Sequence, residues 1–290
     1  MEEKKECSTC KDDSCSAKTR KPKESEKEYL ERQKISSRMC QIDKKFMVLS
    51  GKGGVGKSTV AVNLAFSISS KGKKVGLMDI DIHGPSIPKM LNLEKSAVMV
   101  ENNTIIPVQF SPNLKVMSIG FFLRHTDDAV IWRGPLKISL IKQFLGDVDW
   151  GKLDYLIIDS PPGTGDEPLT IGQIINDLTG VIIVTTPQDL ALLDVRKSIT
   201  FCRQVGIPVT GVIENMSGLI CPHCGKKIDV FKSEGGKAMA DDMGVPFLGS
   251  IPIDNHIVET GDQGIPFAFK YFKSDAGTAM EKISEKIIKI

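Results

Sequence analysis

The sequence predicts an α/β fold, a mostly parallel sheet with helices on both faces, organised around a phosphate-binding loop. Three observations predict it. Gly51-Lys52-Gly53-Gly54-Val55-Gly56-Lys57-Ser58 fits the pattern G-x-x-x-x-G-K-[ST] at every fixed position. The apolar run Phe46-Met47-Val48-Leu49 leads straight into it, and Thr59–Ser70 follows with apolar residues at helical spacing. Beyond that, near-continuous apolar strands alternate with helical stretches, as in a parallel sheet covered on both faces.

The elements follow in chain order. Residues 1–42 are rich in Lys, Glu and Ser and read as a flexible, cysteine-containing tail, with a short helix around Ser25–Ile35. Residues 43–290 read as the folded domain. Within it, Val75–Met78 is a strand ending in Asp79, and Leu153–Ile158 a strand ending in Asp159. Gly180–Thr185, Pro208–Ile213 and Phe247–Ile251 are further apolar strands, and Leu136–Leu145, Asp189–Val205 and Ser233–Met243 are helical. Residues 97–120 are less regular and read as a small hairpin plus one more strand. The last stretch, Ala279–Ile290, is amphipathic. It suits a final helix on the sheet, and an acidic membrane surface is the other place such a helix can lie.

Composition narrows the function. With 290 residues and 41% hydrophobic content, the chain can bury a sizeable core. A net charge of +2 and no long basic stripe argue against nucleic-acid binding. No apolar run approaches the roughly 20 residues that span a membrane, and the charged start has no signal-sequence core. A cytoplasmic protein without stable membrane association is the expectation. In a reducing compartment, the seven cysteines point to metal binding or redox chemistry rather than a disulfide framework. Cys202 lies within a predicted helix and reads as a buried, inert thiol.

The phosphate loop assigns roles to its residues. The backbone of Gly51, Gly53, Gly54, Val55 and Gly56 is suited to cradle phosphate oxygens, with Thr59 alongside. Lys57 can reach the β- and γ-phosphates, and Ser58 can place its hydroxyl on Mg²⁺. Leu156-Ile157-Ile158-Asp159 has the apolar strand and terminal carboxylate of a Walker B element, so Asp159 is the second Mg²⁺ residue. The loop Ser160–Asp166, rich in Gly and Pro, suits a segment that senses the γ-phosphate. Asp79 and Asp81 end the second strand, and Asp81 is assigned to position the attacking water. His83 reads as a loop residue. The chain contains no N-K-x-D sequence for guanine, so ATP is the expected nucleotide, with the Asn215 side chain reading the adenine edge. Lys52 is a second lysine in a loop that already has Lys57.

With these residues in place, the chain resembles the Mrp/ApbC/Nbp-type iron–sulfur carrier proteins, within the SIMIBI class of MinD, ParA and nitrogenase iron protein ATPases. The resemblance rests on Gly51–Thr59, Asp79–Pro88 (DIDIHGPSIP), Asp159–Glu167 (DSPPGTGDE), Glu214–Gly218 (ENMSG) and Cys221–Gly225 (CPHCG), across about residues 45–260. It implies the P-loop NTPase fold in its deviant Walker A form and a homodimer that sandwiches two ATP molecules. It implies that Lys52 reaches the partner subunit's nucleotide, like an arginine finger supplied in trans. Lys52 thereby joins Lys57, Asp81 and Asp159, read from the motifs themselves, as the residues expected to carry hydrolysis. The sequence departs from the family after the cysteine pair, where Lys232 and Glu234 stand in place of small residues.

Cys221-Pro222-His223-Cys224-Gly225 is a tight C-x-x-C knuckle, with His223 read as pointing away from it. Two thiolates fall short of a four-coordinate site, and a symmetric second copy supplies two more. The resemblance implies that the four hold one bridging [4Fe–4S] cluster for delivery to apo-proteins. A Cys₄ site suits Zn²⁺ equally well. Cys7, Cys10 and Cys15 form a second constellation, since Nbp-type relatives carry an N-terminal cluster site. Cys40 or an external ligand would complete it, and the alternative is three solvent-exposed thiols. The leading expectation is an ATP-hydrolysing homodimeric iron–sulfur carrier. The alternatives are a MinD- or ParA-like spatial organiser and an ATPase with a structural zinc at its dimer interface.

Overall fold

The computed structural model describes residues 19–123, 134–221 and 223–290. Cys7, Cys10 and Cys15 therefore lie outside the described residues. The chain runs α1 (Glu26–Met39), β1 (Ile42–Ser50), α2 (Lys57–Ser70), β2 (Val75–Asp79), α3 (Ile87–Met90), β3 (Met99–Glu101), β4 (Thr104–Ile106), β5 (Val108–Ser111) and β6 (Leu114–Ser118). It continues through α4 (Gly134–Gly146), β7 (Leu153–Asp159), α5 (Asp166–Ile174), β8 (Gly180–Thr185), α6 (Asp189–Gln204), β9 (Val209–Glu214), β10 (Leu219–Ile220) and β11 (Lys227–Ile228). The last elements are α7 (Gly235–Asp242), β12 (Phe247–Ser250), α8 (Asn255–Asp262), α9 (Phe267–Lys270) and α10 (Asp275–Ile288).

Eight strands form one sheet in the order β12-β9-β8-β1-β7-β2-β6-β5, and every pairing is parallel except β5 with β6. Alternation along β1 explains why both faces are covered. Met47 and Leu49 join a core with Ile141 and Phe144 of α4, Ile171 of α5 and Ile199 of α6. Phe46 and Val48 join the opposite core with Leu64 and Ile68 of α2 and Ile283 and Ile287 of α10. Successive strand residues point to opposite faces, so a strand apolar on both sides needs two helical layers.

The parallel register sets the site. Val48 of β1 pairs with Asp159 of β7, which pairs with Asp79 of β2, which pairs with Ser118 of β6. These strands end in one row, so their carboxylates meet at the edge where the loops emerge. Ligands of open α/β sheets bind outside this carboxyl edge.

The folded unit begins earlier than the sequence suggests. The tail expected over 1–42 gives way, over Glu26–Met39, to a packed helix. Ser25 and Glu28 form a reciprocal capping box at its start. Ile35 and Met39 are buried in the core beside α4. Ion pairs Lys34–Asp147 (2.5 Å), Arg38–Asp149 (2.7 Å) and Lys142–Glu31 (2.7 Å) ring that contact. At the exit of α1, the fully buried Lys45 donates to the carbonyls of Ile42 (2.6 Å) and Met39 (3.2 Å) and meets Asp177 at 2.8 Å. Charge there offsets unpaired helix-end carbonyls.

At the other end, α10 turns Met280, Ile283 and Ile287 into the core, and Lys71 of α2 pairs with Glu281 and Glu285 at 3.2 Å each. Its apolar face is covered by the sheet and is not available to a membrane surface. Among the described residues, no helix is long and apolar enough to cross a membrane. The irregular stretch 97–120 forms the antiparallel pair β3–β4 and then the strands β5 and β6.

Candidate functional site: a phosphate loop beside a cysteine hairpin

The phosphate loop links β1 to α2. Its last glycine, Gly56, caps α2 at φ 80°. A Cβ there would lie 2.2 Å from Asn215 Nδ2, so both conformation and space demand glycine. Gly51 is equally confined, since its Cβ would meet the backbone of Asp194 in α6 at 2.6 Å. Gly53 and Gly54 are exposed and Val55 is buried. The amides of the loop and of the first turn of α2 form an N-terminal anion cradle.

Lys57, almost fully buried, ion-pairs with Asp159 Oδ1 at 2.6 Å and lies 3.9 Å from Asp81 Oδ2. Its ammonium also donates to Ser58 Oγ at 3.1 Å. Three expected residues, Asp159, Ser58 and Asp81, thus converge on the Lys57 cation. Burial pushes the Asp159 carboxyl up, and the Lys57 charge opposes it. The second oxygen of Asp159, Oδ2, is buried without a hydrogen-bond partner. An orphaned carboxylate oxygen next to the Ser58 hydroxyl is a hard-oxygen donor set, and it fits Mg²⁺.

Asp79 sits behind this cluster. Its Oδ1 accepts from Asp81 N–H at 3.0 Å and its Oδ2 from the Ser118 hydroxyl at 2.8 Å. Complete burial and the neighbouring Asp159 charge push it up to about 8. Asp79 therefore holds Asp81 and the end of β6 from within the protein, while Asp81 faces the phosphate loop.

The loop after β7 lies against the phosphate loop. Gly163 N–H donates to Ser50 C=O at 2.7 Å and the Ser160 hydroxyl to Val48 C=O at 2.8 Å. From Asp166 onward the chain is helical (α5), beyond what the Gly- and Pro-rich sequence suggested. Lys137 of α4 had no sequence signal, yet its ammonium bridges His83 Nε2 (2.8 Å) and Glu167 (2.9 Å). It ties the loop after β2 to the start of α5. The link depends on residues far apart in the chain, which no local pattern reveals.

Asn215, just past β9, donates through Nδ2 to Val55 C=O at 2.9 Å. Its amide thus braces the phosphate loop. It also borders a cleft of about 470 Å³ that begins at Gly56 and Thr59 and runs past Met216 and Phe231 to Pro252 and Asp254. A mostly apolar cleft continuing from the phosphate cradle has the position and size for a base. Lys52 is half-buried, and among the described residues its ammonium has no ion-pair partner. Its carbonyl accepts from the Ser50 hydroxyl at 3.0 Å.

The cysteine pair occupies the turn of a small antiparallel hairpin, β10–β11. Cys221 N–H donates to Lys226 C=O and Gly225 N–H to Cys221 C=O, both at 2.9 Å. Backbone N–H groups of Cys224 and His223, with the Cys224 side chain, hold the Cys221 thiol below its usual range. Stabilised thiolate is the form that binds metal. Cys224 is exposed and Cys221 half-exposed. Among the described residues no three His, Cys, Asp or Glu side chains gather into a metal-binding group, so neither His223 nor Cys40 joins the pair. Cys202 is buried in α6, and burial pushes its thiol up to about 11. After the hairpin, Lys232 and Glu234 both adopt left-handed backbone, at φ 71° and 65°. Glycine takes such positions without penalty, so these departures from small residues carry local strain of roughly 1 kcal/mol each.

This sheet and this loop define a P-loop NTPase of the MinD and ParA kind. The solved MinD from Pyrococcus horikoshii with Mg-ADP is similar at 25% identity and a TM-score of 0.61, covering 85% of this chain and 96% of that one. A nucleotide-binding protein from Archaeoglobus fulgidus, solved in complex with ADP, is similar at 40% identity and a TM-score of 0.72, covering 82% and 93%. Residues 41–288 match the model of the NUBPL iron-transfer P-loop NTPases, and the chain belongs to that family. An iron-sulfur cluster carrier protein of Methanocaldococcus jannaschii is 51% identical over 255 residues, 88% of this chain and 87% of its own length. A cytosolic Fe-S cluster assembly factor NUBP2 homolog of Trichoplax adhaerens is 50% identical over 246 residues, 83% and 93% of the two chains.

Proposed function

We propose that this protein is an ATP-hydrolysing homodimeric carrier that binds a [4Fe–4S] cluster and passes it to apo iron–sulfur proteins in the cytoplasm. The observation that carries the reading is the cysteine hairpin. It offers two accessible thiols, one held toward thiolate, with no third ligand among the described residues. A second copy related by a two-fold axis supplies the missing pair, and four thiolates hold one cluster. The names of relatives about half identical to this chain point the same way.

In the nucleotide cycle, the phosphates compete for the Lys57 ammonium now paired with Asp159. Release of Asp159 frees a carboxylate whose second oxygen already lacks a partner. Ser58 and Asp159 would then hold Mg²⁺, which neutralises charge on the transferring phosphoryl group. Asp81, held by Asp79 through its N–H, would orient the attacking water. Lys52 would reach across to the partner's nucleotide, and hydrolysis would let the subunits part. The cysteine hairpin stands beside this cleft, so dimer closure and cluster geometry change together.

Anaerobic reconstitution with iron and sulfide tests the cargo. The protein is expected to gain a brown chromophore with about two iron atoms per chain, as one four-iron cluster shared by two chains requires. Cys221→Ala is expected to lose it while keeping the fold and nucleotide binding. Zinc at half a mole per chain with no iron uptake would replace the carrier reading with a structural metal. Full cluster delivery by Cys221→Ala would refute it outright.

A further inference from the structure

We propose that Glu214 is the positioning residue that couples the nucleotide cleft to the cysteine hairpin within one chain, an inference that rests on the nucleotide reading above. Glu214 ends β9 and is fully buried. Its Oε1 accepts from the Ser217 hydroxyl and, at 3.1 Å, from Glu234 N–H. Its Oε2 accepts from Gly236 N–H. Ser217 precedes the hairpin and Glu234–Gly236 follow it, so one carboxylate holds both roots of the cysteine-bearing segment. At Gly236 a Cβ would lie 2.9 Å from that oxygen, so any side chain there would have to displace the carboxylate.

The neighbouring residue faces the nucleotide loop. Asn215 donates to Val55 C=O at 2.9 Å, while Glu214 C=O accepts from Ile251 N–H at 2.8 Å. Ile251 C=O in turn accepts from Ser217 N–H at 2.9 Å, and Gly218 C=O from Ile253 N–H at 2.8 Å. The same segments wall the cleft, with Met216 before the hairpin, Phe231 after it and Pro252–Asp254 beneath it. A base entering the cleft therefore presses on both limbs of the hairpin, and Glu214 makes the limbs move as one. Rigid coupling of this kind needs a continuous set of packed and hydrogen-bonded groups, and each link here is short.

Glu214→Gln keeps the shape but places an amide N–H where one backbone N–H, of Gly236 or Glu234, now finds an acceptor. The readout is alkylation of Cys221 and Cys224 in the cluster-free full-length protein, pulsed with iodoacetamide and resolved by peptide mass spectrometry. In the parent, saturating ADP is expected to change the rate by about fivefold or more, the low end of ordinary site-to-site coupling. In Glu214→Gln that ratio is expected to fall to about one, with the ADP dissociation constant within about threefold of the parent. A simple loss of stability would raise the basal rate and leave the ratio, so the ratio is what decides. A parent ratio of one, or an unchanged ratio in Glu214→Gln, overturns the proposal. Should Glu214→Gln fail to fold, Ser217→Ala removes one donor and leaves the backbone links. It must then lower the ratio at least about twofold, and an unchanged ratio again overturns it. Failure to bind ADP would sink the nucleotide reading and this inference with it. ADP binding without cluster uptake would sink the cargo alone.

Discussion

Replacing Asp79 by Asn should flatten the pH dependence of stability. Asp79 is fully buried beside Asp159, and its carboxyl is pushed from an ordinary 3.8 up to about 8. Burial is the larger cause, and the charge of Asp159, which meets Lys57 at 2.6 Å, adds to it. Below pH 3.8 the group is protonated in both the folded and the unfolded chain, and above about 8 it is ionised in both. Between these values the folded state holds a proton that the unfolded state has released. Stability therefore falls as pH rises, by about 1.4 kcal/mol per pH unit for one proton. From pH 5 to pH 8 the loss approaches ~4 kcal/mol, three units at that slope. Asparagine mimics the protonated acid, since its carbonyl can accept from Asp81 N–H and its amide can donate to the Ser118 oxygen. The variant should match the parent only below about pH 3.8, where the acid is protonated in both states, lead it by roughly 1.7 kcal/mol at pH 5 and exceed it increasingly toward pH 8. Urea denaturation at four pH values, followed by tryptophan fluorescence, measures the difference directly. Parallel parent and variant curves across that range would show that Asp79 is ionised in the folded protein and that the argument is wrong.

Two further substitutions test other parts of the structure. Lys52→Ala should lower ATP turnover by at least about a hundredfold, as expected for a lost trans cation, with ATP binding nearly unchanged. Normal turnover would remove the reason for assigning Lys52 to the partner's nucleotide. Ile35→Ala should cost about 2–5 kcal/mol, because its side chain fills the space against Gly146 of α4. A change below about 0.5 kcal/mol in urea denaturation would mean that α1 is not docked in solution.

Much of the site was legible because its residues are close in sequence. The phosphate loop is eight consecutive residues, and Asp79 and Asp159 each end an apolar run. Parallel pairing then brings these ends together without further information, which is why Lys57, Ser58, Asp81 and Asp159 lie side by side. The docking of α1 was not legible, because only Ile35 and Met39 are buried on a helix that is mostly polar and leaves Leu30 exposed. Local composition there resembles a tail, and the ion pairs to α4 and the turn after it decide the matter from more than a hundred residues away. Helix α5 was hidden behind the Gly- and Pro-rich loop that precedes it. Asn215 illustrates a different limit. Its position beside the cleft followed from its strand, but its bond to Val55 C=O depends on a contact 160 residues distant. Lys137 gave no signal at all, and Glu214 stood out only as the first residue of the ENMSG motif, with no hint of its role, since the partners of both lie on other elements.

The cysteine hairpin is the part of the molecule whose geometry its own sequence specifies least. Each of its strands is two residues long, and a two-stranded ribbon of that length has little stability in water by itself. Among the described residues its turn holds two backbone bonds, which orient Cys221 relative to Gly225 and Lys226. The pose of the thiols is therefore set at the roots, by Glu214 on one side and the 251–253 backbone on the other. Residues adjoining those roots, Asn215, Met216, Phe231 and Pro252–Asp254, also wall the nucleotide cleft. A metal held by two such hairpins would then sit on supports that stiffen when the cleft fills and loosen when it empties. Release of the metal, on this reading, requires no change in the cysteines themselves. It requires only that the nucleotide stop bracing the segments that carry them.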